Sequence, residues 1–420
     1  MIPRFGDGTL SAWIPRGLVE LDDERVGTPA PITRADGLCA LQVSWREGRI
    51  VRVQPLVEGA AEPDGMLLPR LLEPHAHLDK AFSWSRYPNL RGTYAGAMAA
   101  NFREHQTRTL EVVQERFERA MQLVWRHGLR AVRTHIDSLG PGAQCSWDAI
   151  LDGASRWQDR VKVQPVALVP VAYWGTSEGE QLAAQVAESG GLLGGVISPP
   201  CSGRASRQEL KHLLALADRH GCGVDLHIDE AGSEPAAGVL QLMRVLKRMP
   251  VSVPITCSHA SSLSLLRASA LQRLAERMAL HNIRVVALPL TNGWLLGRQD
   301  FATPLRRPLA PIRQLQLAGV CVAVGGDNVQ DPWFPAGNFD PLALIAASLA
   351  KAHLVPWERL GLSPFTTAAA RLMEMEWDGV LRAGAPADAM QLPVQSWAEA
   401  LAAPPERRLL VRGVWVQDST

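Results

Sequence analysis

Leu71-Leu72-Glu73-Pro74-His75-Ala76-His77-Leu78-Asp79-Lys80 decides how the rest of the 420-residue chain is read. The run before the histidines, Met66-Leu67-Leu68-Pro69-Arg70-Leu71-Leu72, is mostly apolar and has the length of one strand. Two histidines at spacing two project from the same face of an extended strand, so both imidazoles can reach one metal ion. Taken alone, H-x-H is as readily a polar strand end in a loop. What settles the reading is whether other strands bring ligands to the same place.

Working outward, apolar and β-branched runs begin near Met66, Leu129, Val161, Leu192, Gly223, Val253, Ile283 and Gly319. Helical patterns fill several of the intervals. Thr109 to Arg126 carries Leu110, Val113, Phe117, Ala120, Met121 and Val124 at helical spacing. Ser206-Arg207-Gln208-Glu209 reads as a capping box opening a helix that ends at Gly221. Eight strands alternating with helices make a parallel sheet, and eight is the number that closes a barrel. The expected fold is therefore α/β, a (β/α)8 TIM-like barrel over residues 67–379.

Both ends of the chain are β-rich. Leu38 to Trp45 and Arg49 to Val53 read as a hairpin across Arg46-Glu47-Gly48, and Leu409 to Val416 supplies a matching fragment. Residues 1–66 with 380–420 are expected to pair into one small accessory domain.

In such a barrel the chemistry sits at the C-terminal strand ends. Strand one ends in His75 and His77, strand two in His135 and Asp137, and strand five in His227 with Glu230 just beyond. Strand six ends in His259 and strand eight in Asp327. Five of the 11 histidines thus fall on one predicted rim. Imidazoles and a carboxylate converging there are what a hydrolytic metal site needs. The other six, His105 among them, are read as solvated or capping residues.

Composition narrows the classes. Hydrophobic residues at 47% and charged ones at 20% suit a globular enzyme, and a net charge of +1 gives no reason to expect nucleic acid or a membrane surface as partner. No apolar run approaches a membrane span, and Met1 to Asp7 lacks the apolar stretch of a signal peptide. The six cysteines contain no C-x-x-C pair. That spacing excludes a cysteine zinc knuckle and the nucleobase deaminases that need P-C-x-x-C. The cytoplasm is the expected compartment; a homo-oligomer is left open.

The ordered set E-P-H-A-H-L-D, R-T-H-I-D, H-I-D-E, S-H-A and G-G-D-N-V-Q-D-P-W resembles the amidohydrolase superfamily, in its cytosine deaminase-like branch, from about Leu38 to Val416. The resemblance implies a barrel with a small β-sandwich domain formed by both termini. It implies that His75, His77, His227 and Asp327 hold one divalent metal ion, zinc or iron. A second metal bridged by a carboxylated lysine is not expected, because Leu192 to Ser198 has no lysine. On that reading Asp327 takes a proton from water, Glu230 shuttles it to a ring nitrogen and the leaving amine, and His259 steadies the developing oxyanion. His135 and Asp137 are expected to support the site or merely end a strand.

The implied reaction is hydrolysis of a C–N bond on a small-molecule nitrogen heterocycle. Alternatives are an amidohydrolase of a cyclic amide or N-substituted triazine, and a barrel that binds ligand without turnover. Where cytosine deaminases carry a pyrimidine-reading glutamine, this chain has Pro170, and the acid after the strand-eight ligand is Asn328. Proline offers no side-chain donor or acceptor, so cytosine is expected to be a poor substrate or none. Tyr173, Trp174 and Trp294 are expected to overhang the site and stack on a flat ring.

Overall fold

The computed structural model describes residues 5–21, 31–56, 59, 61–201 and 203–416. The N-terminal stretch Met1 to Arg4 read above lies outside them. Four strands come first: β1 (Gly8–Pro15), β2 (Leu38–Arg46), β3 (Arg49–Pro55) and β4 (Met66–Pro69). Eight follow: β5 (Leu71–Ala76), β6 (Leu129–Asp137), β7 (Lys162–Leu168), β8 (Leu192–Ile197), β9 (Val224–Ile228), β10 (Ile255–His259), β11 (Arg284–Ala287) and β12 (Cys321–Val324). The last three are β13 (Ala389–Leu392), β14 (Arg408–Val411) and β15 (Val414–Trp415).

Strands β5 to β12 lie side by side in chain order as one eight-stranded parallel sheet, with helices in the crossovers. This is the (β/α)8 barrel the periodicity predicts. A second, seven-stranded sheet draws on both termini in the order β15-β14-β13-β4-β1-β2-β3. Its two tight hairpins place Glu47-Gly48 and Arg412-Gly413 at positive φ (50°, 72°, 52° and 75°), the left-handed pair that a two-residue turn requires. Ala12, Ile14, Leu41, Val43, Trp45 and Leu67 lie in its apolar core.

The run Met66 to Leu72 is two strands rather than one. Met66–Pro69 pairs antiparallel with β13, and Leu71–Ala76 opens the barrel. Pro69 has no N–H to continue a ladder and restricts the residue before it, so the chain changes sheets there. By internal packing the chain divides into two compact units. One comprises Met1–Leu72, Trp125–Arg130 and Asp340–Thr420; the other comprises Glu73–Val124 and Ala131–Phe339. All the predicted site residues belong to the second.

Two helices connect β5 to β6. The first, α1 (Tyr94–Gln106), is capped by Thr93, whose hydroxyl accepts from the Gly96 N–H at 3.1 Å; the second, α2 (Leu110–Arg126), buries Val113, Phe117, Ala120, Met121 and Val124 of the stripe read from the sequence. The helix ending at Gly221 starts at Arg204, not at Ser206. Gly203 stands at its N-cap with no side-chain cap, and Ser206 and Glu209 instead line a cavity. No described helix is long and apolar enough to cross a membrane.

Candidate metal centre and substrate cavity

His75 lies on β5 and His77 just past its end. His135 is near the end of β6, His227 is on β9 and His259 ends β10. Parallel strands in register bring these ends to one level, and neighbouring rings among the five lie at centroid separations from 3.9 Å (His75–His135) to 5.6 Å (His77–His135). Asp327, three residues past β12, closes the group. Its Oδ1 lies 3.3 Å from His77 Nε2 and 3.7 Å from His75 Nε2. Two ligand atoms each ~2.1 Å from one tetrahedral ion sit roughly 3.4 Å apart, so these spacings suit a shared cation.

Hydrogen bonding prepares the cluster. His75 Nδ1 donates to Ser258 Oγ (3.0 Å), which donates to Asp225 Oδ1 (2.7 Å), and Asp225 is held by Arg133 at 2.9 Å. With its proton on Nδ1, His75 turns a bare Nε2 inward, the arrangement by which a carboxylate orients a metal-binding imidazole. His75 Nε2, His77 Nδ1, His227 Nδ1, His259 Nε2 and both Asp327 carboxylate oxygens are buried without a hydrogen-bond partner. Unpartnered buried polar atoms are costly, and a divalent cation taking lone pairs from His75 Nε2 and the Asp327 carboxylate removes that cost at those atoms. The donor set fits the metal. Among the described residues His75, His77 and Asp327, and also His75, His227 and His259, form groups close enough to hold one.

Backbone strain marks the same spots. Asp327 and His259 adopt left-handed φ of 68° and 70°, a region non-glycine residues occupy at some cost and which concentrates at functional positions. Burial, then the neighbouring histidines, holds the imidazoles of His75 and His227 well below their ordinary range; burial brings His259 down to about 4. All three are neutral at pH 7. Burial, then Asp327, pushes the Glu230 carboxyl well above the usual carboxylate range. Its Oε1 lies 3.6 Å from His259 Nδ1.

Over this cluster opens a cavity of about 730 Å³. His77, His227, Glu230, His259, Asp327 and Asn328 form its polar end, and Pro170 is on its wall. Met98, Phe102, Leu139 and Pro141 extend it outward, with Phe102 64% exposed at the mouth.

The expected stacking residues sit elsewhere. Trp174 is 1% exposed and donates its indole N–H to the Gly194 carbonyl at 2.9 Å, so it packs in the interior, not the cavity. Tyr173 packs edge-on against it, and Trp294 lies against Arg298. None of the three lines the cavity. The aromatic wall is Tyr94 and Trp333, edge to face at 5.0 Å. Trp333 belongs to the D-P-W motif, whereas Tyr94 opens α1 and stands in no motif.

His135 stacks under His75 and does not reach the cavity; Asp137 does, bound to Lys80 Nζ at 2.6 Å. Asn328 is tied down, its Nδ2 donating to Asp331 Oδ2 (2.8 Å) and its Oδ1 accepting from Thr291. Asn292, which follows β11, was missed because no motif marks that strand end. Its Nδ2 faces His259 Nδ1 at 2.9 Å.

The residues from 102 to 420 match the model of the amidohydrolase family. The chain belongs to that family. It is a hydrolase of carbon–nitrogen bonds. A pterin deaminase of Rhizobium rhizogenes is 28% identical over 388 residues, covering 90% of this chain and 88% of that one. An N-isopropylammelide isopropyl amidohydrolase of Pseudomonas sp. is 22% identical, covering 82% and 85%. Among solved structures, 5-methylcytosine deaminase of Klebsiella pneumoniae superposes with a TM-score of 0.80 at 22% identity, covering 98% of both chains. That likeness fixes the fold alone.

Proposed function

We propose that this amidohydrolase is a mononuclear metal-dependent deaminase of a fused amino-substituted heterocycle of the pterin type. The carrying observation is the cavity of about 730 Å³ over the histidine–aspartate cluster. Binding cavities of this class enclose most of their ligand, and this volume exceeds the need of a single pyrimidine ring. The pterin deaminase relative, matched over most of both chains, supports the same choice.

His75, His77, His227 and Asp327 would hold one zinc or iron ion, which acidifies water and polarises the C–N carbon when bound. The chain's own groups do the rest. Asp327, with both oxygens buried and unpaired, accepts a proton from water. Glu230, kept protonated by burial beside Asp327, donates to the ring nitrogen next to the reacting carbon and then serves the departing amine. Asn292 Nδ2 donates to His259 Nδ1, so the His259 proton rides on Nε2, aimed to stabilise the oxyanion. Tyr94 and Trp333 offer aromatic surface to a flat ring. Pro170 on the wall has no group to read a pyrimidine amide edge, and the Asn328 amide is already engaged.

Ammonia release from 2-amino-4-oxopteridine, measured beside cytosine and amino-triazines on zinc- and iron-loaded enzyme, tests this. Pterin is expected to be turned over and cytosine to be poor. A kcat/KM for cytosine of ~10⁴ M⁻¹s⁻¹ or more with no pterin turnover would overturn the substrate choice.

A further inference from the structure

The barrel sheet is hydrogen-bonded strand to strand from β5 round to β12, yet no ladder joins β12 back to β5 among the described residues. One bridge closes that seam, Ala76 opposite Asp327, with the Asp327 N–H donating to the His75 carbonyl at 3.0 Å. The seam separates the strand ends that carry His75 and His77 from the one that carries Asp327. Two consecutive glycines, Gly325 and Gly326, precede Asp327, and glycines leave a backbone loose unless something pins it.

Glu73 pins it. Only 4% exposed, its carboxylate accepts from the His75 N–H (Oε1, 3.1 Å) and, with both oxygens, from the Gly326 N–H (3.1 and 3.0 Å). The glycines answer to this side chain. A Cβ on Gly325 would lie 2.9 Å from Glu73 Oε1, and one on Gly326 would lie 2.9 Å from Oε2. Neither glycine has a positive φ, so backbone conformation alone does not demand them.

We propose that Glu73 is the positioning residue of the metal centre: its carboxylate stands in for the missing ladder bonds and sets Asp327 against His75 and His77. Glu73 does not line the cavity and acts through the backbone of its neighbours. The inference rests on the reading of His75, His77, His227 and Asp327 as metal ligands.

Glu73→Gln keeps the size but turns one acceptor oxygen into a donor facing N–H groups. Zinc dissociation constants of metal-free protein, measured by competition with a chromogenic chelator, are compared for the wild type, Glu73→Gln, Gly326→Ala, Glu73→Ala and the double variant Glu73→Ala/Gly326→Ala. Glu73→Gln should weaken zinc binding by about 10-fold or more, the usual cost of losing a group that orients ligands. The Tm of the metal-free protein should stay within about 3 °C of wild type. Gly326→Ala alone should weaken zinc similarly, and its penalty should vanish in the Glu73→Ala background, where the added methyl has room. Additive penalties, or a lowered metal-free Tm with unchanged zinc affinity, would show Glu73 to be merely structural and overturn the proposal. Wild-type protein that binds no zinc would instead defeat the metal reading beneath it.

Discussion

Two buried polar clusters start from the same ten residues and are built on opposite terms. From His75 and His77 grows a cluster whose inward atoms have no partners. From Asp79 and Lys80, two and three residues on, grows a network in which each charge meets its opposite. Arg108 reaches Asp79 (2.8 Å), Glu104 and Asp137 (3.2 Å); Arg116 reaches Glu104 (2.6 Å); Lys80 reaches Asp137 (2.6 Å). Burial favours neutral Asp137, but Lys80 and then Arg108 outweigh it and hold the carboxyl below its usual range. Burial alone therefore does not mark a functional site. What marks it is several buried imidazole and carboxylate atoms left without partners side by side, a concentrated cost that a bound ligand would offset.

Breaking the first cluster should abolish function while sparing the fold. His227→Ala is expected to remove bound metal and bring ammonia release to the uncatalysed level, read by metal analysis and a turnover assay on the same sample. A fully active, metal-free variant would erase the distinction between the clusters. Breaking the second should do the reverse. Arg108→Met strands the buried carboxylate of Asp79 and leaves Glu104 with Arg116 alone, and breaking a buried pair in this way costs about 3–5 kcal/mol. Urea unfolding should show that loss, while the zinc affinity of the folded fraction stays as in the wild type.

Asp331 sharpens the boundary, since it braces Asn328 at the cavity yet belongs to neither cluster. Burial raises its carboxyl to about 6, against an ordinary 3.8. A native-state value above the unfolded one gives stability that is complete below about 3.8 and lost as pH rises through about 6. The loss should approach ~3 kcal/mol in metal-free protein. Urea titrations from pH 3.5 to 7.5 should show this slope in the wild type relative to Asp331→Asn; parallel curves would mean that the carboxyl is not raised. Glu230→Gln, inside the functional cluster but not a ligand, should cost about 10²-fold in kcat with metal content unchanged. Near-normal turnover would assign the proton transfer to another residue.

Much of this was legible in the sequence for physical reasons. A barrel places its chemistry at strand ends, and five histidines fell where apolar runs stop. The strand count and the hairpin across Arg46-Glu47-Gly48 follow from period and turn residues, and the gathering of His75, His77, His227, His259 and Asp327 follows from that rule; the second turn, at Arg412-Gly413, is legible only as a β-rich fragment. Other features depend on tertiary competition. Ser206 had the right neighbours for a cap, but the helix begins two residues earlier and its side chain turns to the cavity. Trp174 had the composition of a stacking residue, yet its indole N–H found the Gly194 carbonyl indoors. Glu73 stands in the E-P-H-A-H-L-D motif without a role the sequence assigns, Asn292 stands in no motif, and only the folded strand ends show what they touch.

The central claim, that one metal ion on the unpaired cluster drives C–N hydrolysis, is tested most directly by titrating zinc into chelator-treated enzyme while measuring ammonia release from pterin. Activity should be absent at the start, rise in proportion to bound metal and level off at about one ion per chain. Full turnover by metal-free protein, or a plateau that requires two ions per chain, would contradict the account.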